Sequence, residues 1–446
     1  MPLLFIALLL CIPIRIFVPA LGTEIAPADF VCLFAMAHTI LMRKAVSTWL
    51  LLSIIFAALS VFVIQQFYQP DNLGRAILSL GFFFKPYWVL YLGEDYAKRG
   101  LEPSKLNHVL ICLLTFTALA ALCDAFFFRG YIAGLDNFER IPGEWIFGSV
   151  FGPTFFGLKF HGSNGVNGIA VFFSFAFALL LALGFSLREK KSLRIIALTG
   201  AFACLILVAG SASRQAIFGA LLALASYFCL GKMSARRLAW TLAAGALATA
   251  VCGIVLETFS TYFLEISAKL ALMMNDILRG NWDGVTSGRL EIYGILLSDL
   301  RKSPVFGTGF SGYGLFGSDL GFFNAEFSDT GYTPHNQYLG ALWKMGLLAG
   351  IPYIIFLWKT IAAFHAYYSK STQSRRIALA MGIVLIPFLF VFNVFQDGLS
   401  SPSTGPFLMF ILGFYRWQLL RKSHSLPAPG VAEHSRISHA NNPAAT

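Results

Sequence analysis

The stretch GYTPHNQYLGALWKMGLLAG, residues 331–350, passes from a polar turn through a proline and a histidine into an apolar run that lasts to residue 358. From 337 to 358 its one charged side chain is Lys344. A helix of that length crosses a hydrocarbon core of about 30 Å. Similar windows recur along the chain, near 2–20, 28–42, 46–68, 76–93, 107–128, 166–187, 194–210, 215–231, 238–256, 337–358, 377–396 and 404–420. Hydrophobic residues make up 57% of the 446 positions and charged residues 12%, well below the roughly 25% of a soluble domain. The expected fold class is therefore all-α, a polytopic integral membrane bundle of about twelve spans. The first window carries Arg15 and leads into another span rather than a small-residue cleavage site, so it reads as a retained span.

The formal charge of +11 is distributed unevenly. Nineteen Lys and Arg fall in alternate connections and at the C-terminal end, among them Arg43, Lys44, Arg188, Lys190, Arg236 and Arg375; five (Arg75, Arg129, Arg140, Lys159, Arg214) fall in the connections of the other side apart from 257–336. The positive-inside rule then puts both termini in the cytoplasm. The basic excess reports topology, and no nucleic-acid partner is expected. All seven cysteines fall inside expected spans, which implies neither a disulfide framework nor a cysteine metal site.

Two connections on the outer side are long, 129–165 within the first nine spans (1–256) and 257–336. The second holds nine acids against five bases and is rich in Gly and aromatic residues, so it reads as an ordered functional loop. Within it, SGRLEIYGILLSDLRKSP (287–304) predicts an amphipathic helix with Leu290, Tyr293, Leu297 and Leu300 on one face, lying on the membrane surface or the bundle. GTGFSGYG (307–314) formally fits GxGxxG but has no βαβ context; its glycines read as turns that let backbone approach a ligand or a neighbour. Spans 337–420 follow, then a small, polar cytoplasmic tail at 421–446, expected to be disordered.

Three polar residues stand at expected helix starts. In VAGSASRQAIFGALL (208–222), Ser211 and Ser213 are N-cap candidates, which puts Arg214 in a first helical turn. A cation there opposes the helix dipole and the positive-inside bias, and so invites an anion. Arg289 repeats the arrangement in VTSGRLEIY (285–293). Helix-start amides with a guanidinium make a phosphate cradle; the plainer reading of either arginine is an internal salt bridge or a contact with lipid phosphate. In TPHNQYL, Thr333 as N-cap and Pro334 at N1 would place His335 at N2, where the positive helix end keeps the ring neutral and basic. Arg15, Lys85 and Asp397 would pair with one another or with backbone, or line a cavity. His38, His108 and His365 read as packing histidines without companions. The histidines show no HExxH spacing and no carboxylate cluster, so no metal is expected.

On these residues the chain resembles the bacterial O-antigen ligase and polymerase superfamily. The likeness rests on GSASR (210–214), SGRLEIY with SPVFGTGFSGYG (303–314), HNQYLGALWKMGLLAG (335–350) and, more weakly, KFHGSNGVNGIAVFF (159–173). It implies a GT-C-like membrane transferase of the bacterial inner membrane with a periplasmic active site. Arg214 and Arg289 would bind the pyrophosphate of an undecaprenyl-linked glycan donor. His335 would act at the acceptor hydroxyl, with Ser211, Ser213 and Asn336 in support. The acceptor would be lipid A core in a ligase or a lipid-linked glycan in a polymerase; ligase is the first reading. No cofactor is needed, because the donor carries its energy in its own pyrophosphate bond. GLLAG departs from the family pattern at the leucine before the alanine and glycine, which bears on the acceptor. The reading from a different class is a transporter or flippase, which the single lopsided loop argues against.

Overall fold

The computed structural model describes residues 2–18, 23–67, 73–123, 159–162, 165–186, 190–211, 213–231, 271–272, 274–282, 284, 289–310, 336–367, 372–395, 399 and 404–424. In chain order the elements are α1 (Pro2–Cys11), β1 (Ile14–Val18), β2 (Thr23–Ile25), α2 (Pro27–Leu41), α3 (Thr48–Phe67), α4 (Leu73–Lys98) and α5 (Pro103–Cys123). They continue with β3 (Lys159–Gly162), α6 (Gly165–Ser186), α7 (Lys191–Gly210), α8 (Arg214–Gly231), α9 (Arg289–Lys302), α10 (Gln337–Tyr367), α11 (Thr372–Pro387, extended by a π-turn Phe388–Phe392) and α12 (Thr404–His424).

Helices thus occupy every expected window except 238–256, which lies outside the described residues, as do loop 129–158 and the tail beyond 424. Among the described residues, five helices are long and apolar enough to cross a membrane: the segments Ala76–Lys98, Pro103–Cys123, Gly168–Phe185, Lys191–Ala209 and Gln337–Ala362. The first window departs from expectation. Its helix stops at Cys11, because Pro13 lacks an amide and IRIFV is rich in β-formers. β1 pairs antiparallel with β2 and with β3, giving a small sheet of order β2-β1-β3 in an otherwise helical body. The pair Arg15↔His161 draws the end of the first long connection to the chain's beginning.

α6 is the central helix. Its apolar window is 94% buried, whereas those of α5 and α7 are 39% buried, and Phe172 and Phe175 pack there with Phe388 and Phe407. α4 and α12 approach most closely through glycine: a Cβ on Gly93 would come 2.2 Å from Phe410 O, and one on Gly413 would come 1.9 Å from Leu90 O. The Glu94–Arg416 ion pair closes the same crossing at 3.1 Å.

α10 is not straight. Gly346 (φ 67°, ψ −176°) breaks it into two arms. In a straight helix residues 337 and 353 would stand about 24 Å apart. Here Gln337 Nε2 donates to Tyr353 Oη at 3.0 Å, so the first arm folds sharply over the second. The loop after α9 fills the break. Leu347 N donates to Pro304 O (2.8 Å), Leu348 N to Val305 O (3.2 Å), Thr308 N to Trp343 O (2.8 Å) and Gly309 N to Lys344 O (3.0 Å). Gly307 and Gly309 have positive φ, and a Cβ on Gly307 would lie 2.4 Å from Gly346 N. The glycines of GTGF therefore serve approach to a neighbouring backbone, one of the two roles expected of them. The interrupted backbone is enclosed in protein, with Ser60 Oγ donating to Met345 O at 3.3 Å, as an apolar surround requires.

Candidate functional site

α7 and α8 meet at a tight corner built from GSASR. Ser211 closes α7: its amide donates to Leu207 O at 3.0 Å, and its hydroxyl donates to Val208 O at 2.7 Å while accepting the Ser213 amide at 3.3 Å. Ser213 occupies the N-cap position of α8, since its carbonyl accepts Ile217 N at 3.0 Å. Of the two cap candidates, then, Ser213 holds the position and Ser211 serves the preceding helix end. The cause is local: Ser211 keeps αR backbone (φ −73°, ψ −14°) and still belongs to the last turn of α7. Arg214 is the first residue of α8, as expected.

The Arg214 guanidinium reaches the large loop, with Nη1 donating to Gly284 O at 3.3 Å. Gly284 is held in turn, its amide donating to Asn281 Oδ1 at 3.1 Å and Asn281 Nδ2 donating to Asp276 Oδ1 at 3.1 Å. Five residues on, Arg289 opens α9. Burial pushes the Arg289 guanidinium below its ordinary value, Tyr293 opposes that shift, and the positive charge of Arg214 adds to it. A guanidinium does not give up its proton in a protein, so the direction registers a cost of holding two cations near one another in a partly dry place. An anion between them would relieve it.

α9 packs differently from its expected face. Ile292 and Leu296 are the buried positions, against Trp343 of α10, whereas Leu290 and Leu297 are exposed. Asp299 is buried with them and accepts Trp343 Nε1 at 3.4 Å. The helix is therefore apolar on two sides, one on the bundle and one turned outward.

At the start of α10 the cap is Asn336. Its Oδ1 accepts Leu339 N at 2.9 Å and Tyr338 N at 3.1 Å, and its carbonyl accepts Gly340 N at 2.7 Å. This corrects the expectation of a Thr333 cap with His335 at N2, since N2 is Tyr338. The local reason is that the asparagine amide reaches the N2 and N3 amides, which ends the helix at Asn336. It also commits to the helix start the side-chain oxygen of Asn336, a residue expected to support His335. His335 itself lies outside the described residues, as do Arg140, His365 (whose helix is described but not its side chain) and Asp397.

Sequence reasoning missed the segment that joins these helices. α11 ends in the π-turn Phe388–Phe392, where Asn393 N donates to Phe388 O at 2.9 Å. Asn393, fully buried, presents its carbonyl to Gln337 N at 2.8 Å. Tyr338 Oη donates to Leu389 O at 3.3 Å, and Tyr293 Oη donates to Val394 O at 2.6 Å. No pattern in FLFVFN marks a π-turn beforehand, though such turns often stand at functional sites.

Several other ionisable groups are paired. Lys85 meets Asp29 at 2.6 Å, while the side chains of Arg15 and Asp397 lie outside the described residues. His38 has a companion after all, Asp95 at 3.1 Å, which also binds Lys44 and, at 2.7 Å, Arg99. His108 bonds Ser104 O and meets Lys190 Nζ at 3.2 Å. Lys190 precedes α7 and Ser211 follows it, so this contact stands about 30 Å along the helix from the arginines. Among the described residues no group of three or more His, Cys, Asp or Glu could hold a metal ion.

No curated protein matches the chain. Residues 199–354 match the family model described as O-antigen ligase, a segment that includes Arg214, Arg289, the broken helix and, in sequence, His335. Over that segment the chain is similar to the O-antigen ligase family.

Proposed function

We propose that the protein is an O-antigen ligase-type glycosyltransferase, joining a glycan from undecaprenyl pyrophosphate to a hydroxyl of lipid A core at the periplasmic face of the inner membrane. The observation that carries this reading is the placement of Arg214 and Arg289, each the first residue of a helix, with Arg214 bonded to Gly284 five residues before Arg289, within the O-antigen ligase segment. The donor pyrophosphate would sit between the two guanidinium groups. They would take up the charge that grows on the leaving oxygen in the transition state. His335 precedes the Asn336 cap, near the positive end of α10, and would take the acceptor proton as the hydroxyl attacks the anomeric carbon in an inverting displacement. No metal enters this scheme.

A polymerase differs from this in the acceptor alone, a second lipid-linked glycan in place of lipid A core. The test is a reconstituted assay supplied with one lipid-linked repeat, first alone and then with lipid A core, beside a His335→Ala control. Product formed only with lipid A core, and lost in the variant, supports the ligase. A ladder of lengths from the lipid-linked repeat alone makes it a polymerase. Full activity of His335→Ala removes the histidine from the chemistry.

A further inference from the structure

The two arginines sit on different helices, and α8 and α9 are separated in sequence by 57 residues, 232–288. An anion clamp needs their spacing held to a fraction of an ångström. The π-turn at the end of α11 is a common reference for both helices. On the α8 side the contact is steric: a Cβ on Gly219 would fall 2.3 Å from Phe392 Cζ, so glycine lets the helix rest directly on that ring. On the α9 side it is a hydrogen bond, Tyr293 Oη to Val394 O at 2.6 Å. Val394 follows the last turn of α11, where carbonyls have no partner within the helix. Tyr293 stands one turn after Arg289, on the same side of α9, and it acts on that arginine electrostatically as well.

We infer that Tyr293 is a positioning residue: its hydroxyl, anchored on Val394 O just after the π-turn, holds Arg289 at the spacing from Arg214 that a pyrophosphate requires. This rests on the donor-binding role given to the two arginines above. Tyr293 need not touch the donor. Its ring packs beside Ile292, Leu296 and Trp343, so the phenylalanine variant keeps the apolar contacts and loses the anchor.

The experiment uses the full-length protein in detergent micelles, with undecaprenyl pyrophosphate as the binding probe and thermal unfolding measured in parallel. Tyr293→Phe is expected to weaken probe binding about fivefold, the worth of one ordinary hydrogen bond. In turnover it raises the KM for the lipid-linked donor and leaves the acceptor KM unchanged, a split that general loosening would not produce. Ile292→Val, which loosens the same helix through packing alone, should leave donor KM at the wild-type value. In a double-mutant cycle with Arg289→Lys, Tyr293→Phe should add little, because it acts through that arginine. Three outcomes overturn the inference: wild-type donor affinity in Tyr293→Phe, equal rises in donor KM for Ile292→Val and Tyr293→Phe, or additive effects in the cycle. If instead Arg214→Lys and Arg289→Lys both bind the probe like wild type, the donor-site reading itself fails, and the inference fails with it.

Discussion

Replacing Gly346 by alanine tests the broken helix on which the start of α10 depends. At φ 67° and ψ −176° the backbone lies in a region open almost only to glycine, and imposing it on an alanine costs about 1–3 kcal/mol. A Cβ there would also stand 2.1 Å from Val305 O, a backbone atom that cannot swing aside as a side-chain end can. Moving that carbonyl breaks the bonds from Leu347 N to Pro304 O and from Leu348 N to Val305 O, each worth about 1 kcal/mol net. Together these predict a loss of about 3–5 kcal/mol in the unfolding free energy measured in mixed micelles. Gly280→Ala is the matched control. Gly280 has the same φ of 67°, yet nothing lies within 4 Å of its added Cβ, so it should lose only the backbone share, about 1 kcal/mol. Equal losses in the two variants, or a wild-type Gly346→Ala, would refute the reasoning that packing against loop 303–309 holds the break open.

Other outcomes follow from the same geometry. Arg214→Lys and Arg289→Lys should each lose nearly as much activity as the alanine variants, because an ammonium cannot reproduce the bidentate fork; steady-state donor kinetics would show this. Gly93→Ala and Gly413→Ala should each destabilise the α4–α12 crossing by about 2 kcal/mol or more, since both Cβ atoms would strike backbone carbonyls; melting of the purified variants would report it. Lys85→Met leaves Asp29 charged and largely enclosed, a loss of about 3 kcal/mol. Adding Asp29→Asn should recover most of that stability, because the asparagine oxygen can still accept the Ala26 amide that Asp29 Oδ2 accepts at 2.9 Å.

The amino-acid sequence alone determined the helical membrane character and the places of most helices, because apolar length is a local property and lipid leaves the backbone few other choices. It also placed Arg214 and Arg289 at helix starts, since hydroxyl and glycine before an apolar run act over a few residues. It could not settle which residue becomes the cap: Asn336 holds it in place of the expected Thr333, and Ser211 turns back to α7, through hydrogen bonds that depend on how the chain arrives. It placed α9 but not its buried face, because Trp343, which chooses Ile292 and Leu296 over Leu290 and Leu297, comes some fifty residues later. The same holds for the break in α10. Gly346 permits it, but the carbonyls of Pro304 and Val305 and the hydroxyl of Ser60 make it tolerable in an apolar surround. Tertiary structure alone brought the π-turn of α11 under both arginine helices, since a glycine contact and a tyrosine hydroxyl bond join residues more than a hundred positions apart, beyond the reach of any local pattern.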